Sequence, residues 1–319
     1  MKYIILSFII FSQIFYNTTA SAQKANAILA PTLAYDSTYN FIKGDPARYT
    51  GQELWLKGLP KNQQELGYAN FLTNFKKFQN LNDGKNVYKC CDGNNSKYSD
   101  LANKRFYVEM AFTNERKEKA TGEKVTDTFL KLIEKDSGDA LYYFVEPSMS
   151  EYTFPFVVMG YLEKQKSLLN NGKFVFTEDI ILNSKDINTG NPIKAKIGTV
   201  WNYVDVTVDQ NTNELSLIAK DKKGQVISVP INDMANNKSP KKVYTEKEAK
   251  SMLKRFGEFN YARILQQKIA SNMNKEAIKL SWGNPIEIIE SGTGNRKSEK
   301  WIYTMGSITF RGNTVTKIE

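Results

Sequence analysis

TEKEAKSMLKRF, residues 245–256, carries a capping box at Thr245 and Glu248 ahead of apolar positions at Ala249, Met252, Leu253 and Phe256. That spacing predicts a helix whose first turn is closed by reciprocal side-chain to backbone hydrogen bonds. Gly257 interrupts the stripe, which resumes at Tyr261, Ile264, Leu265 and Ile269. A shorter helix is expected next, with Asn274 as N-cap, Ile278 and Trp282 on one face, and Gly283 and Pro285 as stop signals. Alternating runs at 286–290, 300–304, 307–311 and, past Gly312-Asn313, 314–318 complete the stretch. Two helices followed by a small antiparallel meander make an α+β module, with an expected extent of 236–319.

Working outward, residues 46–235 read as β-rich. Strand-like runs fall at 53–57, 105–112, 128–134, 140–145, 156–161, 174–176, 200–208, 214–219 and 225–230, separated by turn chemistry such as Asp136-Ser-Gly138 and Asn188-Thr-Gly190. A helical interruption is expected over 62–78. An internal repeat aligns Leu130-Lys-Leu-Ile-Glu-Lys-Asp136 with Leu215-Ser-Leu-Ile-Ala-Lys-Asp221, and each copy follows an aromatic-rich strand. Gly51-Gln-Glu-Leu-Trp-Leu56 begins a degenerate third copy, so the region is read as two or three repeats. Short strands with hairpins at this spacing suggest small barrels, and the layout is similar to bacterial SH3-like domains. The fold class expected is therefore mainly β with a C-terminal α+β module: SH3-like barrels, then a two-helix, antiparallel-meander domain.

The C-terminal residues carry a second resemblance. Met273-Asn-Lys-Glu-Ala-Ile-Lys-Leu-Ser281-Trp-Gly-Asn-Pro285, Lys300-Trp-Ile-Tyr303, Ile308-Thr-Phe310 and Val315-Thr-Lys-Ile318 resemble the SmpA/OmlA (BamE-like) envelope module, over about residues 257–319. The resemblance implies a small α/β domain of the bacterial envelope, with Trp301 and Tyr303 on one strand face against the helices. That family's assembly lipoproteins are anchored through a Cys after the signal peptide, and this chain has none there.

Residues 1–22 read as a secretory signal, with Lys2, an apolar stretch over 4–15, and Ala20-Ser21-Ala22 as the cleavage site. The apolar stretch is shorter than the roughly 20 residues a membrane-spanning helix needs. A periplasmic or secreted protein is expected, with residues 23–45 as a leading arm. The net charge is +10, or +9 once Lys2 leaves with the signal, and it is spread along the chain without long basic runs. That distribution fits a solvated basic surface with mild attraction to anionic envelope material and peripheral membrane contact. It supplies no nucleic-acid motif.

Two cysteines, Cys90 and Cys91, are adjacent, which makes them candidates for a vicinal disulfide, a pairing with another chain, or a stiffened surface loop. Histidine is absent, so Ser-His-Asp and Cys-His catalysis are excluded. Ser251-Met-Leu-Lys254 matches S-x-x-K but lacks its companion motifs, and no phosphate-binding glycine loop is present. Neither a cofactor nor a metal is expected. Without a catalytic motif, the chain is read as non-enzymatic, and the signal together with the two resemblances implies recognition of an envelope or outer-membrane protein. The binding candidates are the exposed edge of the meander and the aromatics Tyr142, Tyr143, Trp201, Trp282, Trp301 and Tyr303, for most of which core packing is the competing explanation. Two further readings remain: a peptidoglycan binder through SH3-like modules, and an inhibitor of an envelope hydrolase, since small α/β domains of this layout resemble the β-lactamase inhibitor fold.

Overall fold

The computed structural model describes residues 27–77, 84–118, 121–234, 240–293 and 297–319. The expected signal, 1–22, lies outside them. The architecture is mainly β, with several sheets and a half-barrel.

The first sheet is built from β1 (Ala27–Ile28), β2 (Glu53–Leu56), β3 (Phe71–Leu72), β6 (Arg105–Lys117), β7 (Lys124–Glu134), β8 (Ala140–Val145) and β9 (Phe156–Val158). Its order is β3-β8-β7-β6-β2-β9, with β1 added on β6. Between β3 and β6 lie a two-stranded ribbon, β4 (Cys90–Asp92) with β5 (Asn95–Ser96), and the one-turn helix α2 (Tyr98–Leu101); another one-turn helix, α1 (Lys61–Gln64), precedes β3. A bulge in β6 between Val108 and Met110 resets the two-residue alternation. Phe106, Val108 and Ala111 consequently face one core, while Phe112 joins a smaller aromatic cluster with Leu72, Phe75, Phe129 and Phe144.

The helix expected over 62–78 is a correction. Apart from α1, its described residues hold β3 and a short 3-10 turn, Phe75–Lys77. Tyr68, Phe71, Leu72 and Phe75 recur at helical spacing, yet Tyr68 and Phe71 enter the large core and Leu72 and Phe75 the smaller cluster. Gly67 and Asn70 at positive φ break any continuous helix between them.

The second sheet contains β10 (Lys173–Phe176), β11 (Val200–Val208), β12 (Leu215–Lys220), β13 (Val226–Pro230) and β14 (Val243–Thr245), in the order β13-β12-β11-β10-β14. Helix α3 (Met159–Leu169) precedes it, and α4 (Glu178–Asn183) follows β10. β14 lies beyond residue 236, where the C-terminal module was expected to begin, yet it pairs with β10 through Val175 and Tyr244.

The C-terminal part holds α5 (Glu246–Leu265), α6 (Lys275–Trp282) and an antiparallel sheet of β15 (Glu287–Ser291), β16 (Ser298–Tyr303), β17 (Gly306–Arg311) and β18 (Thr314–Ile318), in sequence order. Thr245 accepts from the Glu248 amide and donates its own to Glu248 Oε2 at 2.8 Å, closing the capping box. Asn274 Oδ1 accepts from Ala277 N at 2.9 Å, and Gly283 at φ 84° ends α6.

Three cores run side by side. β9 buries Phe156 and Val158 in the first and Val157 in the second; β10 buries Phe174 and Phe176 in the second and Val175 in the third. Strands apolar on both faces, as Phe-Val-Val and Phe-Val-Phe are, belong between two layers.

Candidate functional site

Four of the aromatic binding candidates belong to cores. Trp201 has no exposed surface and its ring lies 6.0 Å from that of Phe176. Tyr143 packs 5.1 Å from both Phe71 and Phe156. Trp301 is buried 4.7 Å from Phe310, its Nε1 donating to Glu299 Oε2 at 3.1 Å. Tyr303 is buried with its hydroxyl donating to the Gly283 carbonyl at 3.3 Å, and burial pushes its phenol up to about 12. These four offer no ring face to a partner, because each closes an apolar layer.

The remaining two are half-buried. Tyr142 packs its ring 5.0 Å from Phe75. Trp282 stands edge-on to Tyr303 at 5.4 Å and donates Nε1 to Gln267 O at 3.0 Å. All six therefore serve packing, and the structure does not gather them into one patch. Ser251 and Lys254 lie exposed on α5.

Cys90 and Cys91 bring their sulfurs together at the start of β4, and a Cβ at Gly84 would come within 3.0 Å of Cys90 Sγ. Next to the pair, Lys89 Nζ donates to Glu134 Oε2 at 2.7 Å, and the Tyr88 hydroxyl lies 2.6 Å from the same oxygen. This fully buried carboxylate thus has charged and neutral donors, which is what burial of an ion demands. Tyr88 and Ser137 also hold the Asp139 carboxyl below its ordinary range. The segment reads as a tied-down loop. Among the described residues no group of three or more Cys, Asp or Glu converges on a metal-sized space.

The surface that stands out is the β15 edge. All five residues Glu287–Ser291 are exposed, and among the described residues β15 pairs only with β16. Ile286 is 71% exposed, and Ile288 and Ile289 are each 45% exposed. The five β15–β16 pairs run without a register shift, so the strand is regular along its length. Among the described residues the other terminal strands are shorter or less regular: β3 and β9 are two and three residues long, β14 is three, β13 ends in Pro230, and the β17–β18 pairing shifts register between Thr309 and Phe310. Electrostatically, Glu290 pairs with Lys297 at 2.8 Å, whereas Glu287 has no ion pair among the described residues. A neighbouring chain would meet a row of backbone donors and acceptors, three isoleucines and one uncompensated carboxylate.

Sequence reading identified 286–290 as a strand and the meander edge as a surface, but did not single out Ile286, Ile288 or Ile289. A strand's own alternation does not say which side stays unpaired. Pro285 before it and Gly292 after it are the only local signals.

Comparison with known proteins returned no match: no family model, no curated protein and no solved structure resembles the chain.

Proposed function

We propose that this chain is an exported, non-enzymatic envelope protein that recognises a partner protein by strand addition at β15. The observation that carries the reading is a regular, wholly exposed edge strand in a fold whose other terminal strands, among the described residues, are shorter or less regular. An unprotected edge is an aggregation liability, so its retention argues for use. Strand addition draws affinity from main-chain hydrogen bonds and specificity from alternate side chains. The partner segment is accordingly extended and apolar at alternate positions, with a Lys or Arg facing Glu287.

The finer fold reading belongs with this proposal. The order helix, helix, meander in α5 to β18 supports an SmpA/OmlA-like module. The placement of both repeat copies on the central strands of β6–β7–β8 and β11–β12–β13 supports SH3-like ancestry.

The test is crosslinking and pull-down with the tagged chain lacking residues 1–22, in the envelope of its source bacterium, against the Ile288→Asp/Ile289→Asp variant. Both side chains are exposed, so the variant is expected to fold. A defined set of outer-membrane proteins captured by the parent and lost from the variant supports the reading. Equal capture by both sinks it. Recovery of wall fragments alone transfers the function to a wall-polymer binder, and stoichiometric block of an envelope hydrolase to an inhibitor.

A further inference from the structure

Two cavities lie where the first sheet meets the second. One has a volume of about 760 Å³ and the other about 530 Å³. Both are lined by Glu151, Tyr152, Tyr161, Glu214 and the corner 230–232, so they are lobes of one cleft. No single segment builds it. The walls come from the leading arm, the turn after β2, the loop between β8 and β9, helix α3, and the ends of β12 and β13.

Four aromatic rings are strongly exposed among the described residues: Tyr39, Tyr107, Tyr152 and Phe259. Two of these line the cleft, Tyr39 at 64% and Tyr152 at 88% exposure. Folding leaves both rings in water, where their apolar faces have no packing partner.

At the junction of the lobes three charged side chains are uncommitted. Lys57, Glu151 and Glu214 form no ion pair and no side-chain hydrogen bond among the described residues, although Lys57 feels both carboxylates electrostatically. The ammonium of Lys57 is half-buried, and that burial lowers its pKa. A partly desolvated donor and two acceptors at one place favour a polar ligand that satisfies all three. Carboxamides of Gln63, Gln165 and Asn232 extend the same donor and acceptor surface.

Charge narrows the ligand further. Although the chain carries +10, the cleft holds Glu151, Glu214, Asp233 and Glu248 against Lys57 and Lys241, and Lys241 is engaged by Glu248 at 2.7 Å. An acidic cleft in a basic protein rejects polyanions. Aromatic faces suit the C–H face of a pyranose ring, and planar amides and carboxylates suit its vicinal hydroxyls. Lys57 suits an acetamide carbonyl, and Glu151 with Glu214 suits an amide N–H or an ammonium. We infer that the cleft between the first and second sheets is a binding site for a chain of 2-amino or 2-acetamido sugars, with Tyr39 and Tyr152 as stacking platforms. It is separate from the β15 edge.

The test is calorimetric titration of the full chain with four probes: tetra-acetylchitotetraose, its fully deacetylated form, tetragalacturonate and tetralysine. At least one chitotetraose is expected to saturate the protein with a Kd below about 1 mM and to bind more tightly than tetragalacturonate and tetralysine. Tyr152→Ala and Tyr39→Ala, both exposed positions, should each weaken binding about tenfold, the loss of one stacking contact. Tyr107→Ala, an exposed ring outside the cleft, should leave it unchanged, as should Ile288→Asp/Ile289→Asp. The proposal is overturned if neither chitotetraose saturates, if tetragalacturonate or tetralysine binds more tightly, or if Tyr107→Ala weakens binding as much as Tyr152→Ala. None of these outcomes touches partner capture at β15, so the two readings stand or fall separately.

Discussion

Trp201 is enclosed in the second core, and its indole Nε1 is buried with no hydrogen-bond partner among the described residues. Two opposed energies meet in that side chain. Trp201→Ala should destabilise by about 3–5 kcal/mol through lost burial and a residual cavity. Trp201→Phe also removes the unpartnered N–H, whose burial costs about 1–3 kcal/mol, so its net effect should be under about 1.5 kcal/mol. Denaturant midpoints of the two variants check this, and equal losses would mean that the indole N–H is satisfied in solution. A charged residue gives a pH-dependent counterpart. Lys300, Lys317 and the Ser307 hydroxyl hold the Glu319 carboxyl down at about 2. The folded value lies below the ordinary 4.5, so the contribution is present above pH 4.5 and is lost as pH falls toward 2. Because Glu319 also exchanges two backbone hydrogen bonds with Ser307, the β17–β18 hairpin should loosen over that interval. Carboxyl-carbon NMR should place the midpoint near 2, and Glu319→Gln should remove that part of the acid dependence. A midpoint near 4.5 would refute the lysine clamp.

At the scale of elements, α5 is two helical segments joined at a break. Gly257 adopts φ 74°, ψ 166°, a conformation essentially reserved for glycine, and it divides the apolar stripe exactly where the sequence places the interruption. A Cβ there would meet no atom within 4 Å, so the cost of a side chain is backbone strain alone. Gly257→Ala should therefore destabilise by about 1–3 kcal/mol. In a regular helix the same change would stabilise by about 1 kcal/mol. Thermal melts decide the sign, and a stabilised variant would mean that α5 runs straight in solution. The strands follow a different logic. β10 and β14 alternate between the second and third cores, Phe174 and Val243 facing one and Val175 and Tyr244 the other. Their apolar runs are readable in the sequence, but the partner layer on each face is not, since it is supplied by residues far along the chain.

For the whole molecule, strands shared between cores imply cooperative unfolding. Removing residues 240–319 deletes β14 and uncovers Val175 on the face of β10, although the cut falls near the expected module boundary. Calorimetry of the full chain should show one dominant transition, and the truncated chain should melt at lower temperature with reduced cooperativity. Two separate transitions, one of them unchanged by truncation, would establish independent modules instead. Much of this architecture is legible locally. The capping box at Thr245 and Glu248, the Asn274 cap, the Gly283 stop and the alternation of β11 and β16 each depend on residues within a few positions of one another, so their short-range physics is written in the sequence. The stretch at 62–78 misleads because its apolar spacing fits a helix until two different cores claim alternate pairs of its side chains. The candidate sites were less legible. Which aromatics are enclosed, which strand edge is left unpaired and which distant loops meet in a cleft are all long-range outcomes of sheet pairing and layer packing. The sequence by itself determined a mainly β chain, its caps, its turns and its basic balance. Only the tertiary structure decided that Trp201, Tyr143, Trp301 and Tyr303 close cores while Ile288, Ile289, Tyr39 and Tyr152 stay in water, because burial is a property of what lies opposite a side chain and not of the side chain alone.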